Sequence, residues 1–138
     1  RNIKLAASIG SRNFIHSTAN GKCLVSGLSN DKIKEILSIK GMPGLTANTI
    51  TNLPDFIEEI EKVRKLGYAV DDLENEPGVV CVAAPIFDYA RDVVAAISIS
   101  GVEAHVTSEV IENCYSQLVK DTAMQISYQL GYRDRKSY

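Results

Sequence analysis

Cysteine is scarce in this sequence: Cys23, Cys81 and Cys114 are odd in number, widely spaced, and form no C-x-x-C pair. That usage excludes a disulfide framework and a structural zinc knuckle, and it reads as reduced cytosolic thiols. The basic excess that neutralises nucleic-acid phosphates is also missing, since 15 Lys and Arg stand against 17 Asp and Glu for a net charge of −2. No sequence-preferring contact with duplex DNA is expected from these residues themselves. No apolar stretch approaches the roughly 18 uninterrupted residues of a membrane span, and no charged-then-apolar leader opens the chain. Internal repeats and low-complexity segments are absent. The expectation is a soluble, cytoplasmic domain without membrane contact. The first residue is Arg1 and a strand-like run, Ile3 to Ala7, follows at once, so the chain is expected to be cut from something longer.

What is present is enough apolar material for one core. With 45% hydrophobic content over 138 residues, the chain is expected to form one domain, 1–138. After the first run, Ser17 or Thr18 caps a short helix, Ala19 to Ser26. Ser29 or Asn30 opens a second helix through Leu37, which Gly41-Met42-Pro43-Gly44 breaks. Asn52 caps a third, in which Leu53, Phe56, Ile57, Ile60 and Val63 recur at three and four residues until Gly67. The pattern then changes to period two or to short apolar runs, predicting strands at Tyr68–Asp71, Val79–Phe87 and Val93–Ser100, the last two joined by a hairpin loop, Asp88–Asp92. A long helix from the Thr107 or Ser108 cap to Leu130 closes the pattern, with Ile111, Cys114, Leu118, Met124, Ile126 and Leu130 at near-helical spacing. Helices grouped around adjacent strands imply an α+β domain with an antiparallel sheet.

The two faces of the hairpin differ. One carries Val80, Val82, Ala84, Ile86, Ile97 and Ile99 and packs a core; the other carries Cys81, Ala83, Pro85, Ala96, Ser98 and Ser100, extended by Ala69 and Asp71. Small, mildly polar residues leave either a ligand-sized concavity or a bed for a closely packed helix. The start of the Ala19–Ser26 helix offers free N–H groups and partial positive charge to an anion, and Gly21 either permits close backbone approach there or reflects tight packing.

Several ordered blocks carry a family resemblance. They are Ile9 to Lys22, Leu45-Thr46 with Thr49-Ile50-Thr51, Gly67-Tyr-Ala-Val-Asp-Asp through Glu76-Pro-Gly78, Cys81 to Asp88, and Ala95-Ala-Ile-Ser-Ile-Ser-Gly101. In order and spacing the chain resembles the effector-binding domain of IclR-family bacterial transcription regulators. The resemblance implies a GAF-like fold, a curved antiparallel sheet flanked by helices, and a sensing role without catalysis or cofactor. It further implies a separate N-terminal winged helix-turn-helix that binds promoter DNA, and assembly as a homodimer or homotetramer. The family's pocket, carried onto this sequence, is Ala19 and Asn20 at the helix start with Asp71, Cys81, Ser98 and Ser100 on the sheet. Asn13 and Asn20 stand where the family usually has small or apolar residues, and Phe14 replaces a common proline. Two added amides favour a small hydroxylated carboxylate, such as a sugar acid, over a simple keto acid or an apolar aromatic acid.

Sharper chemistry is weighed against that reading. Cys81 beside His16 suits a nucleophile or redox module on the same scaffold, and Asp71, Cys81 and His16 are competent metal-ligand types. Yet Cys is often a small buried hydrophobe, and no recognised spacing links these residues. The acidic run Asp71 to Glu76 reads most simply as a solvated loop, in the family block also as a lid, and His105 as exposed.

Overall fold

The computed structural model describes residues 9–134; the strand expected at Ile3–Ala7 lies outside them. Helix α1 (Ala19–Ser26) begins at Thr18, whose extended backbone lets its hydroxyl accept the Gly21 N–H at 3.1 Å. Helix α2 (Asn30–Lys40) is capped by Ser29, and α3 (Leu53–Leu66) by Asn52, whose side chain accepts from Asp55 N–H at 3.0 Å. Helix α2 runs three residues beyond the expected Leu37, because the first residue unable to continue it is Gly41 at φ 76°.

Strands β1 (Ala69–Asp72), β2 (Val79–Phe87) and β3 (Val93–Val102) form one antiparallel sheet in the order β1-β2-β3. The register sets Val82 opposite Ile99 and Ala84 opposite Ile97 on one face, and Asp71 opposite Cys81 opposite Ser100 on the other. The facing inferred from alternation therefore holds, and the fold is α+β as expected. Between β2 and β3, Asp88 accepts the Ala90 and Asp92 N–H groups, which closes the turn.

The last helix is not uniform. It starts as α4 (Ser108–Val110), widens into a π-helical turn (Ile111–Tyr115) and continues as α5 (Ser116–Gln129). Its inward residues recur every four positions, Ile111, Tyr115, Val119 and Ala123, joined by Ile126. That spacing drifts against 3.6 residues per turn, and one wide turn absorbs the drift. Cys114 and Leu118, expected on the apolar stripe, consequently point outward, Leu118 being half exposed.

Among the described residues three apolar clusters result. Val82, Ala84, Ile86, Ile97 and Ile99 pack under α5 through Val119 and Ala123. On the opposite sheet face Ala69, Ala83 and Ala96 lie against Ala19 and Cys23 of α1 and Val63 of α3. Outside that layer α2 and α3 bury Ile33, Leu37, Phe56 and Ile60 with Val25. The small residues of the second face thus do both things open to them: around Ala83 they bed a helix, and toward Cys81 and Ser100 they leave a hollow. Gly21 sets how closely the chain before α1 can approach, since a Cβ there would stand 2.5 Å from Ile15 Cα and 2.6 Å from its carbonyl oxygen. Among the described residues no helix is long and apolar enough to cross a membrane.

Candidate functional site

The hollow is a cavity of about 440 Å³ between the start of α1, the segment before it, and the open end of the second sheet face. Asn13, Ala19, Asn20, Asp71, Cys81, Ser98 and Ser100, the seven positions expected to contact a ligand, all border it. Its walls also include Arg12, Thr18, Asn75 and Glu76.

Each side of the cavity has its own chemistry. At the start of α1, Thr18 satisfies Gly21 and its carbonyl accepts from Lys22 N–H. The N–H groups of Ala19 and Asn20 belong to the first turn and have no partner within the helix. Asn13, Arg12 and Asn20 are exposed at the rim, while Ala19 is buried. On the floor, Cys81 Sγ lies 2.9 Å from Ser100 Oγ, across the β2–β3 register. Burial pushes the Cys81 thiol up, against the Ser100 hydrogen bond, and Asp71 and Glu76 push it further. It is therefore a neutral hydrogen-bonding thiol at physiological pH, not a thiolate nucleophile.

Asp71 is only 2% exposed. Its Oδ1 accepts the N–H groups of Glu74 at 2.8 Å and Asn75 at 3.3 Å, so it closes the turn after β1 as well as facing the cavity. Burial above all, with Glu74 nearby, raises its carboxyl from 3.8 to about 6, although those two N–H groups pull the other way.

Behind it lies a group absent from the sequence argument. Lys22 is fully buried, and its ammonium donates to both Glu74 oxygens at 2.9 Å and to the Val70 carbonyl at 2.7 Å, with Glu59 at 3.5 Å. The acidic run is therefore not a solvated loop. Asp71 and Glu74 turn inward because Lys22 and backbone N–H groups replace the water they lose, while Asp72 stays outside. One signal was available: Lys22 shares the Ala19–Cys23 face of α1 at helical spacing, so a buried cation there required a carboxylate partner. Arg12 had no comparable signal, being one charged residue in an irregular segment.

His16 does not join the cavity. It is buried with Nε2 2.9 Å from the Pro43 carbonyl oxygen, beside a separate hollow of about 350 Å³ that Phe14, Leu37 and Lys40 also border. The pairing of His16 with Cys81 and the metal set of Asp71, Cys81 and His16 are thus not assembled. Among the described residues no group of three His, Cys, Asp or Glu side chains is placed to hold a metal ion. His105 is exposed, as expected.

The family model "Bacterial transcriptional regulator IclR C-terminal" matches residues 1–128. The HTH-type transcriptional repressor AllR of Escherichia coli K12 is 35% identical over 131 residues, which are 95% of this chain and 48% of AllR. The crystal structure of the Thermotoga maritima IclR superimposes with a TM-score of 0.88 at 43% identity, over 96% of this chain and 53% of that one. The inducer-binding domain of the PobR transcription factor from Acinetobacter, solved as a double mutant with 3-hydroxybenzoic acid, gives a TM-score of 0.82 at 26% identity, covering 91% of this chain and 74% of that one. The chain spans about half the length of the curated relatives it matches, as the 48% coverage of AllR shows. Those relatives are transcriptional regulators, not enzymes.

Proposed function

This chain belongs to the IclR family of bacterial transcriptional regulators, matching their C-terminal part, and from that premise we propose that its 440 Å³ cavity receives a small hydroxylated carboxylate whose binding modulates DNA binding elsewhere in the protein. The observation that carries the reading is the convergence of Asn13, Ala19, Asn20, Asp71, Cys81, Ser98 and Ser100 on that one cavity. Arg12 and the first-turn N–H groups of α1 supply the anion-accepting end. Ser98, Ser100 and the Asn13 and Asn20 amides donate to and accept from hydroxyls, and Asp71 accepts from one. A sugar acid or polyol acid matches these groups better than a purely apolar aromatic acid.

Promoter DNA would be engaged through an N-terminal winged helix-turn-helix outside this chain, in a homodimeric or homotetrameric cytoplasmic regulator. The net charge of −2 gives these residues no phosphate-neutralising surface of their own. The rival reading, a redox or catalytic module on Cys81, lacks support: the thiol is held neutral and His16 lies beside another hollow.

A thermal-shift screen tests the proposal with matched sugar acids, neutral sugars, keto acids and aromatic acids. Sugar acids should raise the melting temperature most. Stabilisation by aromatic acids alone, or by neutral sugars as strongly as by their acids, would contradict it.

A further inference from the structure

The loop between β1 and β2 is tied down from several directions. Thr46 Oγ1 donates to the Leu73 carbonyl and Thr49 Oγ1 to the Glu74 carbonyl, both at 2.6 Å. Lys22 grips the Glu74 carboxylate from beneath α1. Just ahead of the α1 cap, Ser17 Oγ donates to Asn75 Oδ1 at 2.8 Å, and Ser17 is fully buried.

At Asn75 these tethers leave one end of the side-chain amide unused. Its backbone N–H is donated to Asp71 and its side-chain oxygen is engaged by Ser17. Among the described residues nothing accepts from its Nδ2. A side-chain amide has a donor end and an acceptor end, so engaging the oxygen settles which one is left to offer. Asn75 borders the cavity, and Ser17, which holds it, immediately precedes the cap of α1. Asn75 thus shares the cavity wall with Ala19 and Asn20, the first residues of α1. The carboxylates that border the same space, Asp71 and Glu76, offer acceptors only when ionised.

We propose that Asn75 is a specificity-determining residue, whose Nδ2, oriented by Ser17, donates to the carboxylate of the ligand at the start of α1. Donors are thereby grouped around the anion while Asp71 and Glu76 face the ligand's hydroxyl hydrogens. The amide does so without a charge of its own, so it selects a carboxylate over a carboxamide by geometry: a carboxamide turned the wrong way sets an amino group against an amino group.

The inference rests on the carboxylate reading, and the experiment separates the two. Glycolate, glycerate and gluconate, each paired with its primary amide, are titrated calorimetrically into the wild-type chain and into Asn75→Asp, Asn75→Ala and Ser17→Ala. Asn75→Asp is isosteric and still accepts from Ser17, but it sets an oxygen where the amino group stood. Affinity for the best-binding acid should fall about tenfold to hundredfold in Asn75→Asp, while affinity for its amide is kept within about twofold or rises. Asn75→Ala should lose acid affinity without gaining amide affinity, and Ser17→Ala should shrink the preference for acid over amide. Equal acid affinity in wild type and Asn75→Asp overturns the inference and leaves the carboxylate reading standing. Parallel loss of acid and amide also overturns it, by assigning Asn75 a structural role alone. Binding of no acid by the wild-type chain overturns both.

Discussion

Replacing Asp71 by Asn removes a buried charge while leaving its shape and its acceptor in place. The Asn oxygen can still accept the Glu74 and Asn75 N–H groups that Asp71 Oδ1 accepts now. What disappears is the penalty of keeping a carboxylate in a site only 2% exposed and close to Glu74. Raising the carboxyl from 3.8 to about 6 corresponds to about 3 kcal/mol that the folded protein forgoes once Asp71 ionises. The sign follows from the folded value lying above the unfolded one. Wild type has its full Asp71 contribution below about pH 4 and loses it as the pH rises through about 6. Asp71→Asn does not titrate, so the two proteins should have similar stability near pH 4, and the variant should gain between about pH 4 and 6 to a plateau of about 3 kcal/mol. Urea unfolding followed by circular dichroism across that range reads the difference as a midpoint higher by about 1–2 M above pH 6.5 or so. A difference that does not change with pH, or a variant less stable than wild type at about pH 8, would refute the reasoning.

Other perturbations separate the binding groups from the structural ones. Ser98→Ala with Ser100→Ala should weaken calorimetric affinity for a stabilising acid by about 1–3 kcal/mol per hydroxyl while the denaturant midpoint stays near wild type. Ile97→Ala or Ile99→Ala, on the α5 face, should instead lower stability by about 2 kcal/mol or more, and a larger fall for the Ser pair would invert the assigned faces. Lys22→Met strands the buried Glu74 carboxylate and should cost about 3–5 kcal/mol, much of it restored on adding Glu74→Met. Gly21→Ala drives a methyl into the Ile15 backbone and should lower the melting temperature and the ligand affinity together, by shifting the chain that carries Arg12 and Asn13. Toward a thiol reagent at neutral pH the exposed Cys114 should react first, then Cys81, with Cys23 last because burial pushes its thiol up to about 12; prompt labelling of Cys81 would revive the redox reading.

The hairpin faces were legible because an antiparallel sheet covered differently on its two sides imposes period two on the sequence. The small side chains at Cys81, Ser98 and Ser100 therefore marked that face as either a hollow or a bed for a helix, without deciding between the two. The Asn52 cap, and the caps of α1 and α2 to within one of two neighbouring residues, were legible for an equally local reason, since Thr18, Ser29 and Asn52 each satisfy a backbone donor three residues ahead. What escaped depends on residues distant in the chain. Lys22 is buried only because Glu74 and the Val70 carbonyl arrive from 48–52 positions away. The inward turn of the acidic run follows from that same pairing, so its solvated reading failed. The phase of the last helix was misjudged at Cys114 and Leu118, because the π-helical turn answers to packing against the sheet. His16, weighed as a partner for Cys81, instead meets the Pro43 carbonyl and borders the other hollow.

The ligand is proposed to sit between the α1 start and the open end of the sheet. Backbone amide shifts in a nuclear magnetic resonance titration with the most stabilising acid test this placement directly. Shifts are predicted to concentrate at Ala19, Asn20, Asn75, Cys81, Ser98 and Ser100, with Val119 and Ala123 under the opposite face unmoved. Shifts centred instead on Phe14, Leu37 and Gly41, around the second hollow, or along α5, would contradict it.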